Sequence, residues 1–291
     1  MVVSTPAFDR ELAFSRNLGW MTTREQQVLA GKRVAVAGLG GVGGSHLLTL
    51  VRMGVGRFNL AEIDTFEVAN FNRQAGAMCS TIGRGKLEVL RDMALDIDPS
   101  LEIREFPTGV NEANLDDFLD GVDLYADSLD FFAFTARRAV LAACRRRGIP
   151  TITAIPVGMG AALICFHPQG ISFEDFFCLE GHDELEQSLR LLVGSAPAHL
   201  HAGYLVDRSR VDLATHRVPS TGMACQVCAG MAATEAFKIL LGRGPVRWAP
   251  KGIHFDAYTG RLARTWTPWG NANPLQRLRL AAARRILFTT A

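Results

Sequence analysis

Gly38-Leu39-Gly40-Gly41-Val42-Gly43-Gly44 stands between a short β-branched run, Arg33 to Ala37, and an apolar helical pattern, Gly44 to Met53, that Gly54 stops. A glycine-rich turn between a strand and a helix can bring backbone N–H groups close to phosphate oxygens. The helix N-terminus adds a partial positive charge. A bare G-x-G-x-x-G is weak evidence, and the strand–turn–helix setting is what strengthens it.

Outward from this turn the chain alternates. Phe58 to Ile63 reads as a strand, Lys86 to Asp96 as a helix closed by Pro99, and Leu101 to Phe106 as a strand. Asn111 to Leu119 reads as a short helix, Val122 to Ala126 as a strand, and Asp130 to Arg147 as a longer helix ended by Gly148-Ile149-Pro150. That alternation predicts an α/β fold, a Rossmann-like, doubly wound and mostly parallel sheet. After Pro150 the pattern changes to two successive strands, Thr151 to Ile155 and Gly160 to Phe166. A helix from Asp183 to Val193, a small-residue helix from Met223 to Leu241, a hairpin of Gly252 to Asp256 with Arg261 to Thr267, and a basic helix from Leu275 to Leu287 follow. The expected organisation is one domain with an added antiparallel C-terminal part. It comprises a helical arm (1–30), a nucleotide-binding core (31–169), a divergent excursion (170–222) and a C-terminal part (223–291).

The 291 residues are 48% apolar and 21% charged, which excludes a disordered or fibrous chain. Lys and Arg total 31 against 29 acidic residues, a net charge of +2 that does not favour nucleic acid or an anionic membrane as partner. No stretch approaches the ~18 apolar residues of a membrane span, and Met1 to Arg10 has no signal-peptide core. Six cysteines in a chain of this length do not make a disulfide scaffold, so a cytoplasmic location is expected.

Glu62 and Asp64 lie at the end of the second strand, roughly 20 residues past the turn, where an acidic side chain can hold ribose hydroxyls. Either of the two can fill that role, and to this point NAD and ATP fit equally. Further residues separate them: Asn70-Phe71-Asn72-Arg73-Gln74 after the second strand, Lys86 at a helix start, and Asp127-Ser128-Leu129-Asp130 at the end of the fourth strand, with Arg137 beyond. Two cations and an acid around a phosphate cradle suit a triphosphate with Mg²⁺. Arg clamps phosphate oxygens, Lys supplies a point charge, and a carboxylate can hold the metal.

These motifs together resemble the ThiF/MoeB/HesA branch of the ubiquitin-activating-enzyme superfamily, from about Phe14 to Thr267, with a poor match over 170–222. Phe14-Ser15-Arg16-Asn17 resembles the family's N-terminal aromatic-x-Arg-Gln segment, and Glu235-Ala236-Phe237-Lys238 its late E-A-x-K helix. The resemblance implies an adenylyltransferase that uses ATP and Mg²⁺ to activate a carboxylate with release of pyrophosphate. The substrate would be the C-terminus of a ubiquitin-like sulfur carrier, or a peptide. On matching positions it implies that Gly38, Gly40, Gly41 and Gly43 cradle the nucleotide, and that Glu62 binds ribose in place of the usual Asp. Asn70, Arg73 and Lys86 would neutralise triphosphate charge, Asp130 would hold Mg²⁺, and Gln74 and Asp127 belong to the same motifs. It also implies a homodimer in which Arg16 crosses to the partner's phosphates, although a plain surface Arg is an equal reading.

The family's paired C-x-x-C zinc ligands would fall near Phe173 to Leu179, which has only Cys178, and near Trp266 to Asn273, which has no cysteine. A structural zinc site is therefore expected to be absent. Cys225 and Cys178 are the candidate thiols. Cys225 is read either as a thiol activated at a helix N-terminus or as a small buried hydrophobe. His199 and His201 share a face if extended and otherwise read as loop histidines. The divergent excursion is where substrate choice is expected. Two other function classes stay open: a nucleotide-binding scaffold without turnover, and an NAD-dependent oxidoreductase, which leaves Arg73, Lys86 and Asp130 without a shared task.

Overall fold

The computed structural model describes residues 8–288. The ends of the arm and of the tail, including most of Met1 to Arg10, lie outside the described residues. In chain order the helices are α1 (Arg10–Ala13), α2 (Thr23–Gly31), α3 (Gly43–Met53), α4 (Lys86–Ile97), α5 (Leu115–Phe118), α6 (Phe134–Arg147), α7 (Phe173–Phe177), α8 (Glu184–Ser195), α9 (Gly222–Leu241) and α10 (Pro274–Phe288). The strands are β1 (Arg33–Ala37), β2 (Arg57–Ala61), β3 (Glu102–Phe106), β4 (Leu124–Asp127), β5 (Thr151–Val157), β6 (Gly160–Phe166), β7 (Lys251–Asp256) and β8 (Arg261–Trp266).

One eight-stranded sheet has the order β3-β2-β1-β4-β5-β6-β7-β8. The first five strands pair in parallel, and β5 to β8 pair antiparallel. This is the expected doubly wound sheet with an antiparallel extension. The chain leaves β1 first to β2 on one side and later to β4 on the other. That reversal opens a crevice at the carboxyl ends, where such sheets bind ligands.

β1 is buried along its whole length, because helices cover both faces of a parallel sheet. Its alternation assigns Val34 and Val36 to one apolar layer, with Leu47, Phe58, Leu90 and the small residues Ala232 and Ala236 of α9. Ala35 and Ala37 join the opposite layer, with Phe118, Tyr125 and Leu141. By length and composition α9 is long and apolar enough to cross a membrane, contrary to the expectation that no stretch approaches such a span. Half of that stretch is nevertheless buried inside the fold. Its small side chains let it lie against α3, β5 and β6, and its charged pair Glu235–Lys238 (2.6 Å) closes locally.

The sequence places α2 within the helical arm without bounds of its own and does not predict α7, and both carry a start signal. Thr22 and Glu25 form a reciprocal capping box, and Ser172 Oγ accepts from the Asp175 amide. Both helices are too short to show a full apolar period. The excursion is accordingly an ordered layer in which Phe173, Phe176 and Phe177 pack around Phe166 of β6.

His46 of α3 is buried, 1% exposed, in this core. Burial pushes its pKa down to about 4, with the Cys228 backbone opposing. The unfolded chain therefore takes up a proton first as pH falls. The stability contribution is full above the unfolded value near 6.5 and is lost towards pH 4. Acidification across that window should cost about 3 kcal/mol from this residue. Urea denaturation at pH 7 and pH 4.5 checks this: His46→Gln should be the less acid-sensitive protein, and equal sensitivity would contradict it.

Candidate active site

The crevice is built around the glycine turn. Gly38 still donates its amide to Ala61 O of β2 (2.8 Å) but has φ +83°, a left-handed conformation that suits glycine. A Cβ on Gly38 would overlap the Ser128 carbonyl, and one on Gly43 would overlap the Gly38 carbonyl. The turn thus folds back on itself beneath the β4–α6 loop, at the amino end of α3.

Glu62 secures this turn. Its Oε2 accepts from the Leu39 amide (2.7 Å), and its Oε1 accepts from the Ile63 (2.8 Å) and Asp64 (3.0 Å) amides. Asp64 pairs with Lys86 (3.1 Å), whose side chain is only 7% exposed. Lys86 begins α4, and its amide donates to the Asp64 carbonyl. One of its three ammonium donors is thereby used.

Arg73 and Gln74 lie over the turn. Gln74 Nε2 comes within 3.6 Å of a Cβ placed on Gly40, and Arg73 Cδ within 3.7 Å of one on Gly41. Arg73 Nη1 donates to Ala69 O (3.1 Å) and Asn72 Oδ1 (2.9 Å), while its Nη2 has no partner among the described residues. Gln74 Oε1 is buried with no hydrogen-bond partner, an acceptor left open beside the cradle. Asn70 Oδ1 accepts from the Glu67 amide (3.0 Å), fixing the turn that presents Arg73.

Asp130 is exposed on the loop after β4. Its Oδ1 accepts from the Phe132 amide (3.0 Å), and its second oxygen has no partner among the described residues. Asp127 corrects the sequence reading. Its carboxylate is 1% exposed and bonds Arg137 Nε (3.0 Å to Oδ2) and Thr153 Oγ1 (3.2 Å), so it does not face the cradle. Arg137 in turn donates to the Leu129 (2.7 Å), Asp130 (3.0 Å) and Phe131 (3.0 Å) carbonyls. The pair positions the loop that carries Asp130. The sequence reading placed Arg137 near the site, but not as this brace, because its partners are backbone carbonyls.

The two thiols separate. Cys225 lies under the turn, its Sγ 3.2 Å from a Cβ on Gly41. Burial raises its pKa, with Ser220 and Arg73 opposing, so the helix N-terminus does not make it a thiolate. Cys178 ends α7, which packs on Phe166; Phe166 pairs with Thr151, the first residue of β5, at the end of the parallel strands opposite their carboxyl ends. That removes Cys178 from the cradle. Arg16 is exposed, and the neighbouring Asn17 bonds Arg52 O (2.9 Å) at the far end of α3. Nine residues of helix, about 14 Å, separate Arg52 from Gly43, so Arg16 is not part of its own chain's cradle.

His201 sits 5.7 Å, ring to ring, from His254 of β7, while His199 is exposed. Burial lowers the pKa of His201 and of His254, the latter to about 4. Among the described residues no group of three or more His, Cys, Asp or Glu side chains is placed to hold a metal ion. Mg²⁺ bound with a nucleotide takes one or two carboxylates and lets phosphates complete its shell, so a single free Asp130 oxygen fits it. The glycine turn, the open Gln74 acceptor and the uncommitted donors of Arg73 and Lys86 fit a nucleoside triphosphate.

The ThiF family model matches residues 14–277, which is most of the chain. The chain belongs to the ThiF family. The ThiF-family relatives include the tRNA threonylcarbamoyladenosine dehydratase of Bacillus subtilis (strain 168), 33% identical over 150 residues, covering 51% of this chain and 57% of the relative. The Sulfur carrier protein ThiS adenylyltransferase of Escherichia coli (strain K12) is 31% identical over 143 residues, 49% of this chain and 56% of that protein. This chain spans about half the length of the curated ThiF-family relatives it matches. Among solved structures, E. coli MccB with ATP superposes with a TM-score of 0.61 at 20% identity, covering 83% of this chain and 65% of that chain. PaaA superposes with a TM-score of 0.66 at 15% identity, covering 91% and 76%. These likenesses establish the ThiF-type fold.

Proposed function

We propose that this chain is an ATP-dependent adenylyltransferase that activates a carboxylate as its acyl-adenylate and releases pyrophosphate. The observation that carries the reading is the glycine turn with Arg73 laid against Gly41 and the loop before Asp130 against Gly38, together with unused donors on Arg73 and Lys86 and an exposed, half-free carboxylate on Asp130. Amides of the turn and the α3 N-terminus would hold the phosphates. Arg73 and Lys86 would bear the charge that grows on the triphosphate as a substrate carboxylate oxygen attacks the α-phosphorus and the bond to pyrophosphate breaks. Donors fixed before the reaction are worth more than water dipoles that must reorient. Mg²⁺, when bound, would supply Lewis-acid charge neutralisation, and Asp130 is the residue that would hold it. Glu62 would act through the turn it clamps, with ribose contact shared between Glu62 and Asp64.

The acceptor we favour is the C-terminus of a ubiquitin-like sulfur carrier or a peptide, as the names of the ThiS and molybdopterin-synthase adenylyltransferases suggest. A second reading has a specific support. Three relatives are named tRNA threonylcarbamoyladenosine dehydratases, so a carboxylate borne on tRNA is the competing acceptor. We further propose a homodimer in which Arg16, too far from its own cradle, completes the partner's. A reducing cytoplasm suits six free thiols.

Pyrophosphate–ATP exchange with each acceptor class tests the proposal. Asp130→Ala, Arg73→Ala and Lys86→Ala should each lower exchange by about 100-fold or more while leaving the fold intact. Activity indifferent to Asp130→Ala would overturn it. Mixing inactive Arg16→Ala with inactive Asp130→Ala protein should restore about a quarter of the activity if Arg16 acts across a dimer.

A further inference from the structure

A cleft of about 460 Å³, lined by none of the glycine-turn residues, opens between the end of α7, α8 and α10. Arg190, Arg277 and Arg284 line it, with Cys178, Asn271 and Leu280. Its walls are fixed. Asn271 Nδ2 donates to the Phe177 (2.9 Å) and Arg190 (3.0 Å) carbonyls, and Arg190 Nη1 donates to the Cys178 carbonyl (3.1 Å).

The charge in this cleft is unbalanced. Glu186 alone answers two of the arginines, accepting from Arg190 Nε (2.7 Å) and from Arg284 Nε (3.0 Å) and Nη2 (2.6 Å). Arg277 has no side-chain partner among the described residues, and neither do Arg190 Nη2 and Arg284 Nη1. Three guanidinium groups against one carboxylate leave an excess of two positive charges around a concave space. The Arg190 side chain, only 15% exposed, is not a freely solvated surface group. Glu186 orients two of the forks while leaving donors unused, which is the preorganisation that recognition of a doubly charged oxyanion requires. The cleft is much larger than one phosphate and lies in the size range of small-molecule sites. Leu280 offers an apolar wall for the remainder of a ligand.

We propose that this cleft binds a small organic phosphate monoester, its phosphate gripped by Arg190, Arg277 and Arg284. This function is separate from the nucleotide cradle and independent of the activity proposed above.

The test uses the full chain with ribose 5-phosphate, inorganic phosphate and ribose as probes. It combines titration calorimetry with peptide-resolved iodoacetamide labelling of Cys178. Ribose 5-phosphate should bind and protect Cys178, ribose should do neither, and labelling of the exposed Cys79 should not change. Arg277→Gln, which breaks no contact within the protein, should weaken ribose 5-phosphate binding about tenfold, the loss of one charge-assisted hydrogen bond. Arg284→Gln should do the same, but it also opens the Glu186 pair, so Arg277→Gln is the deciding variant. Equal affinity for inorganic phosphate and the ester would overturn the ester in favour of free phosphate. No protection of Cys178 up to about 10 mM, or affinity unchanged in Arg277→Gln, would overturn the site itself.

Discussion

Gly43→Ala should lose ATP binding by at least about 100-fold, a cost near 3 kcal/mol in binding free energy. A methyl group at Gly43 would overlap the Gly38 carbonyl and press on Ser128 Oγ at 3.0 Å. The carbonyl belongs to backbone that is itself laddered to β2, so it cannot swing aside as a flexible side chain could. The turn would have to open, and its amides would leave the positions from which they can meet phosphate. Gly44→Ala is the matched control. There the added methyl meets Leu90 Cδ1 at 3.0 Å, the end of a side chain that can shift, so affinity should stay within about tenfold of the parent. Calorimetry with a non-hydrolysable ATP analogue reads both, and circular dichroism verifies the fold. Parental affinity in Gly43→Ala would remove the glycine turn from the binding site.

The second large effect lies beneath Asp130. Arg137→Met leaves Asp127, 1% exposed, as an uncompensated buried charge, and strips the Leu129, Asp130 and Phe131 carbonyls of their donor. Breaking a buried pair from one side costs about 3–5 kcal/mol. Adding Asp127→Asn removes the stranded charge at little change in shape, so the double variant should regain a substantial part of the loss. Pyrophosphate exchange should stay impaired in both, because the loop presenting Asp130 has lost its brace either way. Urea denaturation measures the first effect. A loss under about 1 kcal/mol in Arg137→Met would show that solvent relieves this pair.

The match between motif and geometry differs from residue to residue. Gly38, Gly43, Arg73 and Lys86 were legible because each is set by local backbone demands or by a fixed step from a strand end. Asp127 and Asp130 were not separable by the same logic. They are three residues apart at one strand end, and only the inward packing of Arg137 directs one to the interior while the other stays in solvent. Cys225 was placed rightly near a helix start, yet the expected dipole effect loses to burial, which depends on how α9 packs against the turn. The short helix α7 announced itself only through its cap, since periodicity needs more turns than it has.

The amino-acid sequence by itself determined the doubly wound sheet, the glycine turn between β1 and α3, and the presence of Arg73 and Lys86 after the next strand. These follow from short-range rules: the period of apolar residues, the steric freedom of glycine, and the position of strand ends. Only the tertiary structure decided that Glu62 clamps the turn, that Asp127 is spent on Arg137, and that Arg16 sits a helix length from its own cradle. It alone gathered Arg190, Arg277 and Arg284 around one carboxylate. Those outcomes rest on contacts between segments far apart in the chain, where packing chooses which charges are paired and which are left facing solvent.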